Sequence, residues 1–248
     1  MSFSIILPTL NEKGHILNLI NEISDIFKKR KVDYEIIVVD DDSNDGTSEI
    51  VEKYTQEMSF LNLISRKNKK RNLALSINEG IDSSKFEYII WLDADFQHPP
   101  KYIDQFIDFS KEYDVVIASR FLKGSKRYFK TEKFKKEINE NQSYFYNKIC
   151  RGLFFKDVTD YTSGFICLKK DFFKNYSLSG FYGDYFVDLI IELKKNKRKI
   201  IEIPFQDSER VSGFSKTVVT INLKYLYTCF RYFLTLIKSY FKYKFSFD

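Results

Sequence analysis

At 248 residues and 44% hydrophobic content, the chain can bury a full core as one large domain or a domain with an appendage, and nothing marks disorder. Two histidines cannot build a histidine metal site, and Cys150, Cys167 and Cys229 are too far apart for metal or redox spacing, which fits a reducing cytosol without disulfides. The net charge of +6 is modest but uneven along the chain, and no apolar run approaches membrane-spanning length.

Phe3-Ser4-Ile5-Ile6-Leu7-Pro8 predicts a buried first strand, too short an apolar run for a signal peptide. A polar turn, Thr9-Leu10-Asn11-Glu12, leads to Ile16, Leu19, Ile20, Ile23, Ile26 and Phe27 at helical spacing, so a helix runs to about Lys29. Tyr34 to Val39 is a second strand, followed by Asp40-Asp41-Asp42-Ser43-Asn44-Asp45-Gly46-Thr47 and a helix from Thr47 to about Tyr54. The acidic run is either a solvated turn or part of a site, with Asp41 placed to accept hydrogen bonds from a nucleobase. Leu61 to Ser65 is a short third strand, Arg66 to Arg71 a basic loop, and Leu73 to Ile81 a helix.

The stretch Tyr88 to Pro100 is the most informative. An uncharged strand, Tyr-Ile-Ile-Trp-Leu, runs into Asp93-Ala94-Asp95. In extended backbone, side chains two apart point to one side, so the two carboxylates can converge on one ion, with Gln97 adding a neutral oxygen. Such oxygen-only sets suit Mg²⁺ or Mn²⁺. The alternative is that the two aspartates cap a turn. Pro99-Pro100 stop the strand and start a helix over Lys101 to Phe109. Val115 to Ser119 is a further strand. The alternation of strands and helices predicts an α/β fold with a mostly parallel sheet covered on both faces. Neither Gly-x-Gly-x-x-Gly nor a Walker loop is present, so a bound nucleotide would be held by metal and side chains.

From Lys123 to Lys148 cations alternate with Phe129, Phe134, Tyr144, Phe145 and Tyr146. No nucleic-acid motif appears, which favours an amphipathic helix pair over a phosphate-bearing acceptor. Gly164, within Asp160 to Phe165, is expected where backbone approaches a ligand, or in an ordinary turn before the strand Phe165 to Leu168. Ile200 to Pro204 reads as a late edge strand. In Arg210-Val211-Ser212-Gly213-Phe214-Ser215-Lys216, two cations flank a glycine and two hydroxyls, a loop able to close over a diphosphate or else a solvated linker. After Glu209 no acidic residue occurs before Asp248. Lys224, Arg231, Lys238 and Lys242 share one helical stripe, and Leu223, Leu226, Phe230, Phe233, Leu234, Ile237 and Phe241 cover much of the rest. That pattern fits a helix lying in a membrane interface, or one docked on the protein's own core or a partner.

Taken together, Pro8 to Glu12, Val39 to Thr47, Asp93 to Pro100, Ser119-Arg120-Phe121, Ser163-Gly164-Phe165 and Arg210 to Lys216 resemble the inverting family 2 glycosyltransferases of GT-A fold, specifically the dolichol-phosphate mannose synthase-like branch. The resemblance implies a GT-A type (Rossmann-like) domain over residues 1–216 and a helical tail over 217–248. It implies nucleotide contacts from Pro8, Glu12, Val39, Asp41 and Asp93, and a divalent metal, Mg²⁺ or Mn²⁺, on Asp93, Asp95 and Gln97. By the same resemblance Arg210 and Lys216 would clamp the donor diphosphate and act with Asp95 and Arg120 in catalysis, while Arg120, Ser143 and Ser215 would face the acceptor phosphate. Two positions depart from the family: Asn72-Leu73 replaces a Gly-Leu, and Asn139 replaces an arginine, with Lys135 and Lys136 nearby.

The activity implied is transfer of a sugar from GDP-mannose or a UDP-hexose to a polyprenyl phosphate, by a protein peripheral at the cytoplasmic face of a membrane. A membrane subunit is a further expected partner and nucleic acid is not. A hydroxyl acceptor on a growing glycan is the second enzymatic reading and would need a base, drawn from the Asp157 to Asp160 region. A non-catalytic, membrane-associated nucleotide-binding partner is the third.

Overall fold

The structure is a computed structural model and describes residues 1–125, 133–180, 183–208 and 223–245, without the side chains of 133–142 and 223–229. The strands are β1 (Ser2–Thr9), β2 (Asp33–Asp40), β3 (Leu61–Ser65), β4 (Tyr88–Trp91), β5 (Val115–Ser119), β6 (Ile166–Lys169) and β7 (Ile200–Pro204). The helices are α1 (Ile16–Arg30), α2 (Thr47–Thr55), α3 (Leu73–Ser83), α4 (Ile103–Phe109), α5 (Lys133–Leu153), α6 (Tyr185–Lys195) and α7 (Leu223–Lys244). Single 3₁₀ turns precede α4, at Pro100–Tyr102, and follow β6, at Lys170–Lys174.

One seven-stranded sheet runs in the order β3-β2-β1-β4-β6-β5-β7. It is parallel except for β6, which pairs antiparallel with both β4 and β5. The period-2 alternation of strand side chains divides the core. Phe3, Ile5, Leu7, Ile36, Val38 and Ile90 face α1, α2 and α4, whereas Ile6, Ile37, Val39, Ile89 and Trp91 face α3 and α6. Contact is closest at α3, where a Cβ on Gly80 would stand 2.5 Å from Ile6 Cγ2. The chain leaves β1 to one side for β2 and returns to the other for β4, so the crevice beyond the carboxyl ends of β1 and β4 is where the strand order reverses, the usual ligand site of open α/β sheets.

Two expectations change. The segment expected to form a helix pair contains one described helix, α5, continuous through Leu153. Helix α6 was absent from the reading of the sequence. Its residues Tyr185 to Ile191 are all buried, because the sheet covers one side and α7 the other.

The tail helix α7 docks on α6 through a polar seam. Thr235 Oγ1 donates to Asp184 at 3.2 Å, Ser239 Oγ to Asp188 at 3.2 Å, and Lys242 Nζ to Asp188 at 3.0 Å, with Glu192 also 3.0 Å from Nζ. Leu236 is buried in the same seam, and Tyr146 of α5 and Phe154 just beyond it meet Tyr232 and Tyr243 edge-on. Phe230, Phe233, Leu234, Ile237, Phe241 and Phe245 point outward and are 38–73% exposed. Lys242 of the basic stripe therefore turns inward, into the docking seam. Among the described residues no helix is long and apolar enough to cross a membrane.

Candidate active site

The site is built from the loops that follow β1, β2, β4 and β5. After β2 the acidic run separates by role. Asp40 is buried and accepts from Ser43 N–H at 3.2 Å and Ser48 Oγ at 2.5 Å, which shapes the loop. Asp45 accepts the Thr47 N–H at 3.0 Å and the Lys13 N–H at 3.1 Å, tying the β1 and β2 loops together. Asp41 takes Arg66 on one carboxylate oxygen and the Asn72 N–H, at 2.8 Å, on the other. Burial pushes its carboxyl up, against the Asn72 N–H and Arg66, which favour the charged form.

Arg66, the first residue of the basic loop, is 1% exposed and also donates to Glu79 at 3.1 Å and Ser76 Oγ at 3.0 Å. Asn72 has extended backbone, φ −165°, and accepts the Leu75 N–H as the cap of α3, so no glycine is required there. Glu12 is buried, with a carboxylate oxygen 2.9 Å from His15 Nε2. Pro8 is half-buried at the rim, and the Val39 side chain is wholly inside the core, leaving only its main chain for a ligand.

Strand β4 ends at Trp91, and Asp93 to His98 form a turn, with Phe96 at φ 64°. Strand alternation therefore does not set the aspartate pair, as the sequence had implied; side chain–main chain bonds within the turn do. Asp95 Oδ1 accepts the Gln97 N–H at 3.0 Å, and His98 Nδ1 accepts the Asp93 N–H at 3.0 Å. Asp95 is 4% exposed and Asp93 half-buried. His98 is buried against Phe165 and Phe205, and this burial holds its pKa down at about 4 despite the neighbouring Asp95. The Gln97 carbonyl accepts the Ser208 N–H at 3.2 Å. Arg210, Ser215 and Lys216, expected to bind the diphosphate and acceptor, lie outside the described residues.

Opposite this turn stands a buried ion pair. Arg120, after β5, donates from Nε and Nη2 to the two oxygens of Asp160, at 2.8 and 2.9 Å, and from Nη2 to the Thr162 carbonyl at 2.7 Å. Burial alone would raise the Asp160 carboxyl, but Arg120 and the Arg120 and Thr162 N–H groups bring it below the ordinary carboxylate value. Burial acts on Arg120 in the opposite sense, and the charge of Asp160, with those of Asp207 and Asp93, holds it firmly protonated. Glu202 accepts the Thr159 and Asp160 N–H groups, at 2.8 and 2.9 Å, and fixes that loop. Asn147 Nδ2 of α5 bridges the Ser143 carbonyl and Thr162 Oγ1, so Ser143 stands one helical turn from the cluster around Arg120. Tyr185, at the start of α6, accepts from the Trp91 indole N–H at 3.0 Å and also lies within the field of Asp93.

Asp93, Asp95, Asp160 and Asp207 thus surround one guanidinium and a neutral imidazole. Among the described residues no three His, Cys, Asp or Glu side chains converge as a self-sufficient metal site. With four carboxylates set against one guanidinium, the local excess of negative charge fits Mg²⁺ or Mn²⁺ instead, ions that complete their shells with water and substrate phosphates.

A dolichol-phosphate mannosyltransferase of Pyrococcus furiosus is 28% identical over 241 residues, 93% of this chain and 63% of that protein, so the chain spans less than two thirds of this relative's length. Mannosyl-3-phosphoglycerate synthase from Rubrobacter xylanophilus superposes with a TM-score of 0.68 at 16% identity, over 97% of this chain and 73% of that one. Glucosyl-3-phosphoglycerate synthase from Mycobacterium tuberculosis, solved with Mn²⁺, UDP and phosphoglyceric acid, gives 0.66 at 16% identity, over 96% and 78%. These two structures share the fold. The model of glycosyl transferase family 2 matches residues 4–177, which takes in β1 through β6 and both aspartates of the β4 turn, and the chain belongs to that family.

Proposed function

We propose that the protein transfers a hexose from a nucleoside diphosphate sugar, GDP-mannose or a UDP-hexose, to a polyprenyl phosphate, inverting the anomeric carbon. The observation that carries this reading is the Asp93–Asp95 turn set opposite the Arg120–Asp160 pair at the reversal point of the sheet. The mannosyltransferase relative supports the choice of acceptor.

Asp93, Asp95 and Gln97 would hold Mg²⁺ or Mn²⁺, which when bound offsets the charge that builds on the departing diphosphate. Asp41 would meet the base, with Pro8, Glu12 and the Val39 main chain lining the nucleotide. Arg210 and Lys216 would close on the diphosphate, and Ser143, Ser215 and Arg120 would face the acceptor phosphate. A phosphomonoester has its second pKa near ~6, so its oxygen attacks the anomeric carbon already ionised and needs no strong base. The bond to the diphosphate breaks and its electrons leave with the nucleotide. A hydroxyl acceptor would need a base, and Asp160 is poorly suited, since both its oxygens are held by Arg120 and its carboxyl is depressed.

Incubation with labelled GDP-mannose or UDP-glucose and Mn²⁺ is expected to label dolichyl or undecaprenyl phosphate. Label on soluble glycans and on neither lipid phosphate would reject this reading.

A lipid acceptor requires work at a membrane surface, and the outward face of α7 suits it: five large apolar side chains, with Phe245 just beyond the helix, flanked by Arg231 and Lys238, in a tail without an acidic residue before Asp248. On this reading the protein would work peripherally, at the cytoplasmic face of the membrane. Phe233→Glu with Phe241→Glu, at positions 56% and 52% exposed, is expected to abolish flotation with anionic vesicles at an unchanged unfolding temperature. Undiminished flotation would exclude α7 as the membrane contact.

A further inference from the structure

We propose that His98 is a positioning residue for the cation: by accepting the Asp93 N–H it sets the turn that presents Asp93 and Asp95 as a ligand pair. This rests on the metal reading above. Asp93 lies beyond the last ladder pair of β4, Trp91 with Ile166, so no neighbouring strand holds its N–H. The turn is instead closed by its own side chains, with His98 Nδ1 taking the N–H of Asp93 and Asp95 Oδ1 that of Gln97. A ring nitrogen that accepts carries no proton, so the hydrogen bond fixes the Nε2–H tautomer.

The ring cannot swing away. It stacks on Phe165, with centroids 5.0 Å apart and planes at 13°, and meets Phe205 edge-on at 5.8 Å. Gly164, at φ 70°, runs alongside, where a Cβ would come 3.7 Å from His98 Cε1. Phe165, with the Gly164 backbone beside it, therefore serves the site by gripping this imidazole.

The test compares three replacements. Asn puts an acceptor oxygen close to where Nδ1 sits, Gln carries it one bond further, and Phe fills the aromatic slot with no acceptor. Mn²⁺ binding to the full chain is followed by electron paramagnetic resonance, with and without GDP or UDP, and thermal unfolding is recorded for each protein. His98→Phe and His98→Gln are expected to raise the Mn²⁺ Kd about 10- to 100-fold, the usual effect of losing an outer-sphere partner, while His98→Asn stays close to wild type. Wild-type Mn²⁺ affinity in a folded His98→Phe protein would overturn the proposal, as would an equal loss in His98→Asn and His98→Phe. If the wild type binds no Mn²⁺, or Asp95→Ala binds it equally well, the metal reading itself fails, and that result is distinguishable from failure of the role of His98.

Discussion

Asp95→Ala is expected to lower sugar transfer by about 10³-fold, the scale for removing one preorganised electrostatic contact to a transition state, while the chain still folds cooperatively. Asp95 has two tasks. One oxygen accepts the Gln97 N–H and shapes the turn, and on the proposed reading the carboxylate also supplies charge for the cation. Asp95→Asn separates them, since an amide oxygen can still take the Gln97 N–H but brings no charge. If charge is what matters, Asp95→Asn loses transfer nearly as fully as Asp95→Ala and unfolds nearer the wild-type temperature. Initial rates across an Mn²⁺ series, beside thermal scans of the three proteins, read both effects. Wild-type turnover by Asp95→Ala would refute the assignment of the metal.

Asp160→Ala is expected to be the most destabilising single change at the site, costing about 3–5 kcal/mol, because it strands a charged Arg120 in the interior. For a domain of this size, the unfolding temperature should fall by roughly 10 °C. The Asp160 side chain has 0% exposure and that of Arg120 18%, so water can only partly take over the solvation of the guanidinium. Replacing both partners, Arg120→Met with Asp160→Leu, removes the stranded charge and should recover much of the lost stability. Transfer should stay low in the double variant if Arg120 also meets the acceptor phosphate. Recovery of both stability and transfer would confine the pair to a structural role.

Much of this architecture could be read from residue order. The strands from β1 to β5 are where apolar runs end in polar turns, and the acidic tips after β2 and β4 both lie at one end of the sheet. Three features were hidden for physical reasons. The period of a strand carries no direction, so nothing in Ile166-Cys167-Leu168 shows that β6 runs against its neighbours. Helix α6 opens on a short apolar run, Tyr185 to Ile191, that its period alone does not distinguish from a buried strand; its signal was the spacing of Asp184, Asp188 and Glu192, whose partners Thr235, Ser239 and Lys242 lie some fifty residues on. The burial of Arg66 within the basic loop was hidden because its partners come from elsewhere in the chain, Asp41 after β2 and Ser76 and Glu79 on α3.

The reversed strand β6 also has a consequence for synthesis. Strands β3, β2, β1 and β4 all come from residues 2–91 and pair with one another, whereas β5 and β7 reach them only through β6. A nascent chain that has emerged as far as Leu153 holds four assembled strands and a bare β4 margin beside Ile89 and Ile90, the kind of open border on which other chains add. The ribosome has to deliver residues 166–169 before that border can be sealed.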